Sequence, residues 1–233
     1  MNMKKVCIVI VTYNSMKWIS KCLTSIYLSS YPTTVIVVDN NSSDNSCSFI
    51  KKQYPEVILL EMNENLGFGK ANNIGIRYAL ECDADYFFLL NQDVYIETDT
   101  IYNLIREIES GDYAIISPIQ MNGDGSCLDT HFRDAVIAKC VDYLDATQNG
   151  KKQTIFETSF IAAASWFMSR KTISEIGGFN PLFQHYGEDD NYVSRVSFHN
   201  KRIAFTTKAK IFHDRGRVGN VSAYNKNAYY VSC

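Results

Sequence analysis

Along its first half the chain alternates short apolar runs with longer amphipathic ones. Residues 6–11, 35–38, 57–60, 86–90 and 113–117 are short, largely apolar stretches, rich in β-branched and aromatic side chains. Runs this short suit strands buried on both faces, as in a parallel sheet. Between them, residues 16–28 set Trp18, Ile19, Cys22, Leu23 and Ile26 at helical spacing, with Ser15 as N-cap. Residues 44–54, 71–80 and 98–110 repeat the pattern, the last opened by Thr98 as a cap. Strand and helix alternating through short joints predict right-handed crossovers and an α/β fold, a mostly parallel sheet flanked by helices.

The rhythm changes after Pro118. Asn122-Gly123-Asp124-Gly125 is a turn, residues 129–152 carry no clear period, and residues 154–169 form a long apolar and aromatic run read as two strands or one bulged strand. Gly177-Gly178-Phe179-Asn180-Pro181 breaks a short helix. A second helix is expected over 189–199, with strands near 203–206 and 211–213. The whole reads as one domain over residues 1–233, with a nucleotide-binding half (about 1–117), an acceptor-facing half (about 118–215) and a tail (216–233).

Composition narrows the function. With 233 residues, 46% of them hydrophobic, the chain can bury a full core. A net charge of −2 gives no excess for neutralising phosphates, so a nucleic-acid partner is not expected. The seven cysteines are scattered and include no C-x-x-C pair, which points to reduced thiols and a cytoplasmic location. Lys4 and Lys5 precede residues 6–11, but that run is too short for a signal peptide and reads as a strand. No stretch approaches the roughly 20 apolar residues that span a bilayer.

In an open parallel sheet, ligands gather beyond the carboxyl ends of the strands. Four such ends here are polar: Thr12-Tyr13-Asn14, Asp39-Asn40-Asn41-Ser42-Ser43-Asp44, Asn63 to Lys70, and Asn91-Gln92-Asp93. One polar loop is ordinary turn chemistry, whereas four at one edge suggest a nucleotide site. Tyr13 can stack on a base, and Asp39 can accept from a base N–H or a ribose hydroxyl. Gly67 and Gly69 let backbone approach a diphosphate, with Lys70 as a point charge beside it. Asp93 suits Mg²⁺ or Mn²⁺ bridging phosphates, although a turn cap has the same residue type. Glu188-Asp189-Asp190 opens a predicted helix, where carboxylates gain from the helix dipole; one of them can equally act as a general base. His213, after an apolar strand, is a structural residue or a metal contact.

Taken together, Val11-Thr12-Tyr13-Asn14, Val38 to Asp44, Asn65 to Gly75, Leu90-Asn91-Gln92-Asp93, Gly177-Gly178-Phe179 and Gly187-Glu188-Asp189 resemble the inverting glycosyltransferases of the GT-A fold, in particular the bacterial family-2, rhamnosyltransferase-like branch. That resemblance implies transfer of a sugar, with inversion, from a dTDP- or UDP-sugar to an acceptor hydroxyl in surface polysaccharide or glycan biosynthesis. It assigns Thr12, Tyr13, Asn14, Asp39, Asn41, Asn65, Gly67, Lys70 and Gln92 to the nucleotide, and Asp93 and His213 to Mn²⁺ or Mg²⁺. Asp189, with Glu188, becomes the catalytic pair, and Trp166, Gly178, Phe179 and Tyr186 the acceptor side. The acceptor is a glycan or a lipid-linked saccharide, which allows peripheral association with the inner face of a membrane. The family's Asp-x-Asp metal motif begins here with Asn91. Two other readings are a sugar-phosphate nucleotidyltransferase, disfavoured by the lack of glycine after the first strand, and a decayed nucleotide-sugar-binding domain.

Overall fold

A computed structural model describes residues 3–183 and 186–215, with the backbone alone for 137–139. His185 and the expected tail 216–233 lie outside the described residues. In chain order the elements are β1 (Val6–Thr12), α1 (Ile19–Tyr27), β2 (Thr34–Asp39), α2 (Ser46–Gln53), β3 (Ile58–Glu61), α3 (Gly67–Glu81), β4 (Tyr86–Asn91), β5 (Val94–Ile96) and α4 (Thr100–Glu109). They continue with β6 (Tyr113–Asn122), α5 (Thr130–Lys139), α6 (Val141–Gln148), β7 (Ile155–Glu157), β8 (Ser165–Ser169), α7 (Arg170–Ile176), α8 (Glu188–Phe198) and β9 (Arg202–His213).

The strands form a single mixed sheet ordered β3-β2-β1-β4-β8-β6-β9-β5, with β7 paired to β9. The β3-β2-β1-β4 block is parallel throughout, so its carboxyl ends share one edge. β8 enters antiparallel between β4 and β6. The expected division at residue 117 therefore falls inside β6, and a strand from the second half sits in the middle of the sheet.

Both faces of that sheet are covered. Alternate residues of β1 feed two cores: Cys7 and Val9 pack with α3 and α8, while Val6, Ile8 and Ile10 pack with α1 and α4. This is why the central strands read as unbroken apolar runs. A Cβ on Gly75 would lie 2.3 Å from Val9 Cγ1, so α3 approaches β1 this closely only with glycine there.

Several boundaries differ from the sequence expectation. α3 begins at Gly67 rather than near Ala71, its start hidden by two low-propensity glycines and the lack of a side-chain cap. Neither Ser15 nor Thr98 caps a helix. The Ser15 carbonyl instead accepts from Trp18 N and Ile19 N, and the Thr98 carbonyl accepts from Ser30 N. The stretch 129–152 folds as two helices, α5 and α6. The two C-terminal strands expected from sequence are one, β9, whose pairing with β6 slips between Pro118 and Ile119. Proline has no N–H to give the ladder, so a bulge forms where a straight strand would break it.

Candidate functional site

The strand-end loops are fastened to one another by side chains. Thr12 Oγ1 donates to Asp39 Oδ1 at 2.8 Å, and Ser42 donates to the same carboxylate through its N–H (2.8 Å) and its hydroxyl (2.6 Å). Asn14, held at a left-handed φ of 49°, accepts from Ser43 N at 2.9 Å. Asn residues tolerate that conformation better than other L-residues, which explains the residue type. Gln92 clips β4 to β1, accepting from Tyr13 N at 2.8 Å and donating to Tyr13 O. Asn40 ties β2 to the head of α3, accepting from Leu66 N and donating to Gly67 O.

These clips give several of the residues assigned to the nucleotide a structural part as well. Thr12 and Asp39 are buried, Asp39 to 1% exposure, and together with Asn14 and Gln92 they shape the loops. Asn41, also left-handed at φ 63°, and Asn65 stay exposed. Tyr13 is 48% exposed, a phenol ring free to meet a ligand. It lines a cleft of about 340 Å³ with Asn40, Asn65, Phe68, Gln92 and Asp93. That volume is within the range of small-molecule sites, roughly 300–1,000 Å³. Gly67 and Lys70 stand in the first turn of α3, which holds no acidic residue. The glycine-rich segment is thus a helix N-terminus, where backbone N–H groups and the helix dipole favour an anion.

Asp93 and His213 meet across the sheet edge. The short strand β5, missed in the sequence because it has only three residues, pairs antiparallel with β9 in the register Val94↔His213. Asp93, one residue earlier, is thereby brought to His213, with Oδ1 3.4 Å from Nε2. The Asp214 amide donates to the Asp93 carbonyl at 2.8 Å and fixes the crossing. One carboxylate and one imidazole form a donor set suited to Mn²⁺ or Mg²⁺ whose remaining positions go to phosphate or water. Among the described residues no group of three or more His, Cys, Asp or Glu is placed to hold an ion unaided. Behind His213 lies the buried Asp129, the N-cap of α5, which accepts from Arg215 Nε at 2.8 Å. Burial pushes the Asp129 carboxyl up, but hydrogen bonds from Arg215 and the Phe132 amide, with the charge of Arg215, hold it below the ordinary range.

α8 begins after Gly187, a left-handed residue at φ 87°. Its first turn carries Glu188, buried, and Asp189, half-buried. A Cβ built on Gly69 would lie 3.7 Å from Glu188 Cβ, so the heads of α8 and α3 abut. The Asp189 carboxylate accepts from the amides of Asp190 and Ala163, while the next residue, Ala164, accepts from Asn91 N. The candidate base is thus linked to the end of β4 only through the 163–164 segment. Burial, reinforced by the Asp190 charge and opposed by those amides, raises the Asp189 carboxyl above its ordinary value of 3.8.

The acceptor-side assignments divide. Tyr186 is 74% exposed. Trp166 and Phe179 are core instead, stacked at 5.8 Å and in ring contact with Tyr192. Trp166 belongs to a central strand with both faces covered, so its indole is enclosed between sheet and helices. Gly178 is small because Asn73 passes over it: a Cβ there would be 2.3 Å from Asn73 Oδ1, which accepts from Phe179 N. Arg195, unassigned in the sequence, donates to the Ile176 and Gly178 carbonyls and secures the same loop.

The description of glycosyl transferase family 2 matches residues 7–177, more than half of the chain. The chain belongs to that family. It is 25% identical over 210 residues to the low-salt glycan biosynthesis hexosyltransferase Agl10 of Haloferax volcanii, covering 89% of this chain and 66% of that protein. It is 28% identical over 173 residues to the dTDP-rhamnosyl transferase RfbF of Shigella flexneri, covering 72% and 55%. Among solved structures, the mannosyltransferase PcManGT of Pyrobaculum calidifontis with GDP-Man and Mn²⁺ superposes with a TM-score of 0.70 at 19% identity, covering 92% of this chain and 58% of that one. S. aureus TarS with UDP-GlcNAc gives 0.67 at 17%, covering 97% and 63%. At that identity the superpositions establish the GT-A fold alone. The chain spans less than two thirds of the length of each of these four relatives. The family match ends at residue 177, before α8 and β9, so it takes in the β3-β2-β1-β4 edge while Asp189 and His213 lie beyond it. Among the described residues no helix is long and apolar enough to cross a membrane.

Proposed function

We propose that this chain transfers a sugar from a nucleoside-diphosphate sugar to an acceptor hydroxyl with inversion. The observation that carries the reading is the convergence of three groups at one sheet edge. They are the Tyr13 cleft, the facing Asp93–His213 pair, and Asp189, whose carboxylate meets the amide of Ala163, the residue before the Ala164 that pairs with Asn91.

Tyr13 stacks on the base, and the first turn of α3, with Lys70, receives the diphosphate. Mn²⁺ or Mg²⁺, held by Asp93 and His213, supplies charge neutralisation at that diphosphate. Asp189 accepts the proton of the acceptor hydroxyl as its oxygen bonds to the anomeric carbon. The bond from that carbon to the diphosphate oxygen breaks on the opposite face, so the configuration inverts. A carboxyl raised by burial is the stronger base for this step. The relatives named above support a nucleoside-diphosphate sugar as donor; in this reading it is dTDP-rhamnose or a UDP-hexose, and the acceptor is a glycan or lipid-linked saccharide. In this reading the chain works in the cytoplasm, against the inner face of a membrane.

Calorimetric titration with UDP, dTDP and GDP, with and without Mn²⁺, tests the donor half. Mn²⁺-dependent binding of one of them, lost in Asp93→Ala, is expected. Binding with the same metal response in that variant removes Asp93 from the ligand set, and no binding of any nucleotide refutes the donor site.

A further inference from the structure

Asp129 is part of no nucleotide, acceptor or metal assignment above, yet it is a buried carboxylate facing a metal-ligand histidine. It comes from the N-cap of α5, in the stretch whose sequence gave no clear period. Its side chain is 3% exposed and that of His213 1%. Asp129 Oδ2 lies 3.9 Å from His213 Nδ1, while Nε2 on the other side of the ring lies 3.4 Å from Asp93 Oδ1. The imidazole therefore lies between two carboxylates, one facing each nitrogen. Nδ1 is buried and makes no hydrogen bond at this separation. A shift of under 1 Å would make one, since such bonds span about 2.7–3.2 Å.

Two other groups hold Asp129 in this place through three hydrogen bonds. Arg215 donates Nε to Oδ2 at 2.8 Å and a second nitrogen to Oδ1 at 3.3 Å, and the Phe132 amide donates to Oδ1 at 3.0 Å. Both carboxylate oxygens are thus directed, and the one facing His213 is shared with a guanidinium. Ring nitrogens are not equivalent: a proton fixed on Nδ1 leaves the Nε2 lone pair for a metal ion.

We propose that Asp129 is a positioning residue for the metal site. It holds the proton of His213 on Nδ1 and so presents Nε2 beside Asp93. Resting on the metal reading given under Proposed function, it adds a second segment, the start of α5, to the determinants of ion binding. The residue touches neither donor nor acceptor and acts only through the imidazole.

The test uses Asp129→Asn in the full chain. Asparagine keeps an Oδ1 acceptor for the Phe132 amide, so α5 stays capped. Mn²⁺ is titrated in the presence of saturating UDP and, separately, dTDP. Affinity is read by calorimetry, and ligation by the imidazole-nitrogen modulation of the Mn²⁺ electron spin echo. The expected result is about 10–100-fold weaker Mn²⁺ binding, with the nitrogen modulation reduced as in His213→Ala; the metal-free chain stays folded by circular dichroism, with a melting temperature lowered no further than in Arg215→Gln, which loses the same ion pair. Arg215→Gln, which removes the ion pair but leaves the carboxylate, should keep the modulation. Unchanged affinity and modulation in Asp129→Asn overturn the positioning role alone. Equal loss in Arg215→Gln also overturns it, because the effect then runs through the ion pair. Absence of Mn²⁺ binding by the wild-type chain with either nucleotide overturns the metal reading itself, and is recognised because it appears before any substitution.

Discussion

On the donor side, Asn14, Asn40 and Gln92 each join neighbouring loops through main-chain groups, and Asp39 gathers Thr12 and Ser42. On the proposed acceptor side the sheet is held by the enclosed rings of Trp166, Phe179 and Tyr192, with Arg195 and Asn73 fastening the loop after α7. Hydrogen bonds contribute about 1 kcal/mol each and are spread over several pairs, so the donor edge should tolerate the loss of any one. A ring cluster concentrates its stabilisation in a few large side chains, and its loss should be felt across the corner that carries Asp189.

The largest effect that separates the two sides is expected for Asp189→Asn. Transfer should fall by roughly 10²–10⁴-fold while nucleotide binding is kept, because the residue belongs to the acceptor wall. Steady-state rates set against donor calorimetry check this, and a matching loss of donor binding would merge the two walls. The pH dependence follows from the same carboxyl. A base works deprotonated, so the rate should be lost as pH falls through a value above the ordinary 3.8. Stability carries the opposite sign. A raised native value means the folded chain holds that proton more tightly than the unfolded one, so the ionised group costs stability at neutral pH. Asp189→Asn should therefore melt no lower than wild type at pH 7; a lower melting point would mark the carboxylate as structural.

Next comes Trp166→Ala. The indole is fully buried and stacked on Phe179, and its removal should destabilise the chain by about 3–5 kcal/mol in denaturant unfolding. Little change would mean the ring cluster does not hold the corner. Gly178→Ala should cost about 1–3 kcal/mol, since the new methyl meets Asn73 Oδ1 at 2.3 Å, and it should slow transfer more than it weakens nucleotide binding. An unaltered rate would detach the Gly178 loop from the acceptor wall. Gln92→Ala is expected to be the mildest. Losing one clip to Tyr13 should weaken donor binding by about 1 kcal/mol, roughly five-fold, with stability little changed. A loss as large as that from Asp93→Ala would show that Gln92 meets the nucleotide directly.

Much of the donor edge was legible in the residues. Runs buried on both faces reveal themselves by composition, and a parallel block gathers their polar ends on one side, so Tyr13, Asn65 and Asp93 could be grouped without coordinates. Whether a given polar residue faces the ligand or the neighbouring loop was not legible. Asp39 and Gln92 have the chemistry for either, and the distance to Thr12, Ser42 or Tyr13 decides. Trp166 was misassigned for a related reason. An aromatic run looks the same whether it lines a cleft or fills a central strand.

The sequence by itself determined the alternation that makes a covered parallel sheet, the edge at which polar loops collect, and the carboxylates available there, because these depend on local periodicity and strand direction. The tertiary structure alone decided that β8 would enter between β4 and β6, that β5 would pair with β9, and that Asp129 would lie behind His213. Those outcomes depend on pairings between segments far apart in the chain. Such pairings are selected by the fit of whole surfaces, which no local pattern encodes.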